Sequence, residues 1–200
     1  MDKVSFIGYS GHAFVCIDSA IRMGFEVDGY YDFEEKEGNP YHLGYKGLES
    51  NHDGLSRLFV AIGDNTIRKK VFTSLENSNE LINIIDPTAI CSKMSQLGKG
   101  VFISAGAAVN SLSSIGDGVI INTGAVVEHE CEISNFAHIC PGAVIAGNVK
   151  IGELSFIGSN STVIQGVQIC NNVIIGAGST VVRDIKEPGV YVGTPAKKIK

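Results

Sequence analysis

The sequence predicts an α/β N-terminal Rossmann-like βαβ domain followed by an all-β parallel β-helix of hexapeptide repeats. Three observations carry this. From Ile85 to Val181 every sixth residue is aliphatic, with Cys91 as the one substitute. Four residues after each stands a small or β-branched side chain, from Ala89, Ser95 and Val101 on to Val173, Ser179 and Ile185. Before Ile85 that beat is absent, and strand, Gly-rich turn, helix and strand follow one another instead. A period of six is neither a helix face nor simple alternation, so the second part winds as a solenoid of short strands.

The N-terminal elements follow in order. Val4-Ser5-Phe6-Ile7 is a buried strand, then comes the turn Gly8-Tyr9-Ser10-Gly11-His12. Ser10 is placed to cap a helix on which Ala13, Phe14, Ile17, Ala20 and Ile21 recur, and Gly24 suits its stop. Phe25 to Tyr31 is a second strand ending at Asp32. This unit favours a diphosphate at the turn and helix N-terminus, with Asp32 placed to accept a ribose hydroxyl. The dinucleotide fingerprint needs Gly where Ser10 and Ala13 stand, which disfavours NAD. His12 is a candidate phosphate contact.

Glu34 to Asp53 is polar and without period, a surface excursion. Leu58 to Ile62 is a third strand, and Gly63-Asp64-Asn65 opens a helix with Ile67, Val71, Phe72 and Leu75 on one face. Leu81 to Ile84 reads as a fourth strand. The domains are thus expected at 1–83 and 84–200. Seventeen hexads, three to a coil, make between five and six coils. At roughly 4.8 Å per stacked strand the column stands about 25–28 Å tall.

A net charge of −5 without a long basic run argues against nucleic acid as partner. No apolar span is long enough for membrane insertion, and Met1-Asp2-Lys3 leads straight into a strand. Five cysteines without a C-x-x-C pair fit reduced thiols in a cytoplasmic protein. In the repeat region, Glu128-His129-Glu130-Cys131 and His138-Ile139-Cys140 hold its only two histidines. They lie nine residues apart, half a coil, so they cannot share one side of a single prism.

The repeat, the Glu128–Cys131 segment, the run His138–Gly147 and the closing Gly193-Thr194-Pro195-Ala196-Lys197 resemble the left-handed β-helix acyltransferases. Ile7–His12 and Ala61–Asn65 narrow the likeness to the bacterial family of sialic acid O-acetyltransferases and nucleotide-sugar N-acetyltransferases. Within it the chain looks most like enzymes acetylating the amino group of UDP-linked 4-amino-4,6-dideoxy sugars, of the UDP-N-acetylbacillosamine type.

The resemblance implies a left-handed coil, a homotrimer with sites between neighbouring prisms, and acetyl-CoA as cosubstrate without a metal. It implies His129 as general base, oriented by Glu130, with His138 beside the thioester and the Gly147 amide facing its carbonyl. Gly176, Ala177 and Lys197 are implied as further CoA contacts. Ser10, Gly11, His12, Asp32 and Gly63 would hold a UDP- or dTDP-linked amino sugar.

The chemistry suits these residues. An imidazole, ordinarily near pKa 6.5, can take the proton a sugar ammonium must lose before its nitrogen can attack a thioester. With no convincing covalent nucleophile, direct transfer is expected. Three alternatives stay open: O-acetylation of a sialic acid or another sugar hydroxyl, a non-catalytic sugar-nucleotide-binding trimer, and a β-helical carbonic anhydrase. The last needs three converging histidines, and this repeat has two.

Overall fold

The computed structural model describes residues 2–52 and 56–200; Met1 and Asp53, the outer ends of two segments named above, lie outside them. Strands β1 (Lys3–Ile7), β2 (Glu26–Tyr31) and β3 (Arg57–Val60) form a parallel sheet in the order β2-β1-β3. Helix α1 (Gly11–Arg22) follows β1 and buries Ala13, Cys16, Ile17 and Ala20, one turn apart. It stops where expected: Gly24 takes φ +89°, and the N–H groups of Met23 and Gly24 bond back to Ser19 and Ile21. Ser10 stands at the N-cap in extended conformation, but its side chain makes no capping bond.

Helix α2 (Asn65–Leu75) is capped by Asp64, whose carboxylate accepts from Ile67 N at 2.8 Å. Its buried face differs from the expected one. Ile67 is 54% exposed, and Arg68, set between Asn65 and Phe72 on the inner stripe, is buried in its place.

The segment after β2 is more than a surface excursion. Tyr41, Leu43 and Tyr45 pack on the α/β core, and Tyr45 bridges Tyr30. Nor is Leu81 to Ile84 a fourth strand of the first sheet. Leu81 makes one bridge to Leu58, and Ile84–Ile85 is already the first rung of the solenoid. The reason is packing: Ile84 points outward from the coil and is covered by the N-terminal unit.

Among the described residues, seventeen short strands run from Ile84–Ile85 to Thr180–Val181 and stack in three parallel sheets. Partners lie 18 residues apart, Ile84 with Phe102, Ile90 with Ala108 and Gln96 with Ser114. That register repeats the interior: from Val101 on, both hexad positions are buried in one continuous core. After Val181 the beat fails. Ile185 sits beside Ile169, and Gly189 beside Val173, so the last coil is cut short and Ile185 takes a strand position. Gly189–Val192 and Lys197–Lys198 then fold back as an antiparallel pair on the end of one sheet.

The three flat sides differ outside. Gln96, Ser114, Glu132, Lys150 and Gln168 make one polar. A second bears Ile90, Ala108, Val126 and Val144, with Ile90 68% exposed. The third carries Ile84, Phe102 and Ile120, all buried under Val4, Phe6, Ala13, Cys16 and Phe59. The two halves therefore share one core. A second tie is electrostatic: Asp86, fully buried, accepts from Ser19 (2.8 Å), Arg22 Nε (2.9 Å) and Thr88 Oγ1 (2.6 Å).

Candidate active site

Ligands of parallel α/β sheets settle at the C-terminal strand ends, where the strand order reverses. Here the order β2-β1-β3 puts that reversal between β1 and β3. Ser10, Gly11 and His12 follow β1, Asp32 follows β2, and Gly63 follows β3, so the five expected nucleotide-side residues share one edge. Gly8 lets the turn come this close: at φ +90° a Cβ would stand 3.0 Å from Ile62 Cγ1 and 3.2 Å from the Ala61 carbonyl oxygen.

Asp32 is also engaged within the chain. Its Oδ2 accepts from Tyr9 N (3.0 Å), Oδ1 accepts from Phe33 N (2.8 Å), and Lys36 Nζ stands 3.4 Å away. It latches the first turn to the end of β2.

The third side of the solenoid closes this edge from below. After Ile84, Phe102 and Ile120, the next outward residue is His138, which is buried rather than solvated. Its ring centroid lies 6.1 Å from that of His12 and 5.1 Å from that of Phe156. Nε2 meets Asn122 Nδ2 at 3.1 Å, while the buried Nδ1 has no hydrogen-bond partner. His12 in turn faces Cys16 Sγ at 3.6 Å.

Burial and then the Arg68 charge bring His12 down to about 4. Burial, Arg68 and His12 bring His138 down to about 3, with the Gly63 backbone acting weakly the other way. Both imidazoles are neutral at physiological pH.

Arg68 went unnoticed in the sequence. Its guanidinium donates to the carbonyls of Gly118 (2.7 Å), Ile62 and Gly63 (3.0 Å each) and Phe136 (2.9 Å), and to Asn65 Oδ1 (2.8 Å). Every donor is satisfied without a carboxylate, and burial brings its own pKa to about 10. It thus fastens the Gly63 turn to two solenoid corners. Inside an Arg-Lys-Lys run it carried no sequence signal.

His129 is elsewhere, on the corner between the second and polar sides, and is more than half exposed. Glu130, at φ 60°, brings its Oε2 to 3.0 Å from His129 Nδ1. One coil on, a Cβ on Gly147 would lie 2.6 Å from His129 Cε1, so only glycine leaves the ring its place. Within one chain His129, Glu130 and Gly147 form one group, and His138, His12 and Gly63 another.

Gly176 and Ala177 sit on a different corner, where Gly176 N donates to the Tyr191 carbonyl at 2.8 Å. Lys197 lines a cavity of about 180 Å³ with Val181, Tyr191 and Ala196. Burial pushes the Cys140 thiol up to about 12 and raises Cys131, so neither is primed as a nucleophile. Among the described residues no group of His, Cys, Asp or Glu is arranged to hold a metal.

The hexad solenoid, with an α/β unit on one side and a histidine–carboxylate pair on a corner, defines a hexapeptide-repeat acyltransferase of the left-handed β-helix class. Residues 3–75 match the family described as PglD N-terminal domain, and residues 130–165 and 148–183 match bacterial transferase hexapeptide repeats. The chain is 39% identical to a GDP-perosamine N-acetyltransferase from Caulobacter crescentus, solved with CoA and GDP-perosamine. That match covers 100% of this chain and 98% of the other, at a TM-score of 0.95. It is 31% identical to the acetyltransferase domain of PglB from Neisseria gonorrhoeae, solved with acetyl coenzyme A, covering 98% of each chain at a TM-score of 0.92. WeeI from Acinetobacter baumannii shares the fold, at 18% identity and a TM-score of 0.82. The chain belongs to the family of nucleotide-sugar N-acetyltransferases that join a PglD-type N-terminal domain to a hexapeptide-repeat β-helix.

Proposed function

We propose that this protein transfers the acetyl group of acetyl-CoA to the amino group of a nucleotide-linked amino-deoxy sugar, of the 4-amino-4,6-dideoxyhexose type, for bacterial glycan synthesis in the cytoplasm. The observation that carries the reading is the His129–Glu130 pair on an open corner, with Gly147 keeping the ring in place. The relatives solved with CoA, acetyl-CoA and GDP-perosamine support the donor and acceptor classes, and they add GDP to UDP and dTDP as candidate nucleotides.

In this reading Nδ1–H of His129 donates to Glu130, which leaves Nε2 as the base. The amine nitrogen attacks the thioester carbonyl, a C–N bond forms, and Nε2 takes the amine proton. The C–S bond then breaks and CoA leaves as the thiol with that proton. The Gly147 amide is assigned to the developing oxyanion, a kind of contact worth about 2.7–4 kcal/mol in acyl transfer.

Ser10, Gly11, His12, Asp32 and Gly63 bind the nucleotide sugar, and Asp32 also holds the turn that does so. Gly176, Ala177 and Lys197 contact CoA. His138, its Nδ1 unpartnered, lies beside the thioester. Since His129 and His138 occupy different sides of one prism, the working unit is a homotrimer in which they meet across a seam.

His129→Ala is expected to lower kcat by about 10²–10⁴-fold with the fold intact. Steady-state assays with acetyl-CoA and amino-sugar nucleotides, beside hydroxyl acceptors, test this; near-normal turnover removes His129 from the role.

A further inference from the structure

The chemistry above leaves one feature of the nucleotide edge unused. Phe33, just past the end of β2, is 73% exposed, more than any other large apolar side chain among the described residues. A single exposed apolar residue is ordinary. This one is informative by its place, since its own N–H and that of Tyr9 share the Asp32 carboxylate, which ties it to the ligand-facing turn. Its ring is already in a polar contact. Lys36 Nζ stands 3.8 Å from the ring centroid and 3.1 Å from Glu34 Oε1.

We propose that Phe33 is the stacking platform for the nucleobase of the sugar nucleotide, and that Glu34 and Lys36 read the edge of that base. The proposal rests on the nucleotide-sugar reading above and deepens it. A phenyl face open to water accepts any base by stacking. Selection comes from its neighbours, because an ammonium only donates and a carboxylate only accepts. Side by side they complement a carbonyl next to a ring N–H, the edge shown by guanine, uracil and thymine. Adenine and cytosine present an amino group next to a bare ring nitrogen. That pattern sets donor against Lys36 and lone pair against Glu34, leaving both unpaired.

The chain has no tryptophan, so Phe33→Trp places a single indole at the proposed platform. Titration of this variant with GDP, UDP, dTDP, ADP and CDP is followed by fluorescence and, in parallel, by calorimetry. Saturable quenching is expected with the first three, bound about tenfold or more tighter than ADP and CDP. Phe33→Ala should weaken the favoured nucleotide about tenfold, and Glu34→Gln should erase the preference. Diphosphate heat without quenching of the Phe33→Trp indole, or unchanged affinity in Phe33→Ala, overturns the platform and leaves the nucleotide reading standing. Equal affinities for GDP, UDP and ADP overturn the edge reading. No heat with any diphosphate sinks the nucleotide reading itself.

Discussion

The general base proposed for the transfer has to keep one nitrogen committed and the other open, and His129 meets that need at little structural cost. Its carboxylate partner is the next residue and its ring rests over a glycine one coil on. Gly147→Ala puts a methyl group 2.6 Å from Cε1, too close for the ring to stay, and the exposed ring is free to swing aside. The expected result is a drop in kcat of about 10²-fold from misplacement, with an unchanged melting temperature by calorimetry.

The buried pair makes the opposite prediction, on stability. His12 and His138 titrate near 6.5 when unfolded and at about 4 and about 3 when folded. The unfolded state therefore binds more protons as pH falls below 6.5. Their stability contribution is full above that value and is lost progressively toward the folded values. Asp86 acts in another window. Burial alone would raise it, but hydrogen bonds from Thr88, Arg22 and Ser19 outweigh that and hold it well below the usual carboxylate range. Its contribution is present above about pH 3.9 and is lost only as pH falls through its folded value. Denaturant titrations from pH 7 to 4.5 should show stability falling in wild type, with a shallower slope in His138→Gln. Equal slopes would show that His138 is not buried neutral.

At the scale of elements, the join between the α/β unit and the solenoid is a column of three outward side chains, Ile84, Phe102 and Ile120. Phe102 is wholly buried and meets both His12 and Phe59. Phe102→Ala should cost about 3–5 kcal/mol, measured by urea unfolding, and should weaken nucleotide binding because His12 loses its backing. A change within error would mean that the column is not what joins the domains.

The interior of the coil was legible because each inward position repeats within one short segment. The first three strands, both helices and the Gly24 stop were legible for the same local reason, whereas Leu81 to Ile84 was not the fourth strand its pattern suggested. The column was legible too, had every eighteenth outward residue been compared: Ile84, Phe102 and Ile120 stand against Gln96, Ser114 and Glu132. That comparison would have placed His138 among the buried residues. Arg68 and the engaged state of Asp32 were not legible, because both depend on carbonyls and amides brought together from distant turns. The shortened last coil was hidden for another reason. Ile185 fits the inward beat by residue type, and only pairing with Ile169 shows that the count has changed.

For the whole molecule, the separation of the two histidine groups decides how many chains a site needs. His129 stands on a corner with Glu130 and Gly147, and His138 lies on another side beneath the α/β unit. No rotamer change carries an imidazole round a prism edge and through a buried core. If both act on one acetyl transfer, they come from different subunits, and the apolar side with Ile90 and Val144 is available for the contact. Co-expression of His129→Ala and His138→Ala chains under two tags tests this directly. Each parent is expected to be nearly inactive. In a doubly tagged trimer one of the three seams pairs an intact His129 with an intact His138, so activity should return to about a third of wild type. If both residues served one site within a single chain, no mixture could rebuild it. Doubly tagged trimers as inactive as their parents would then place the reaction inside one prism.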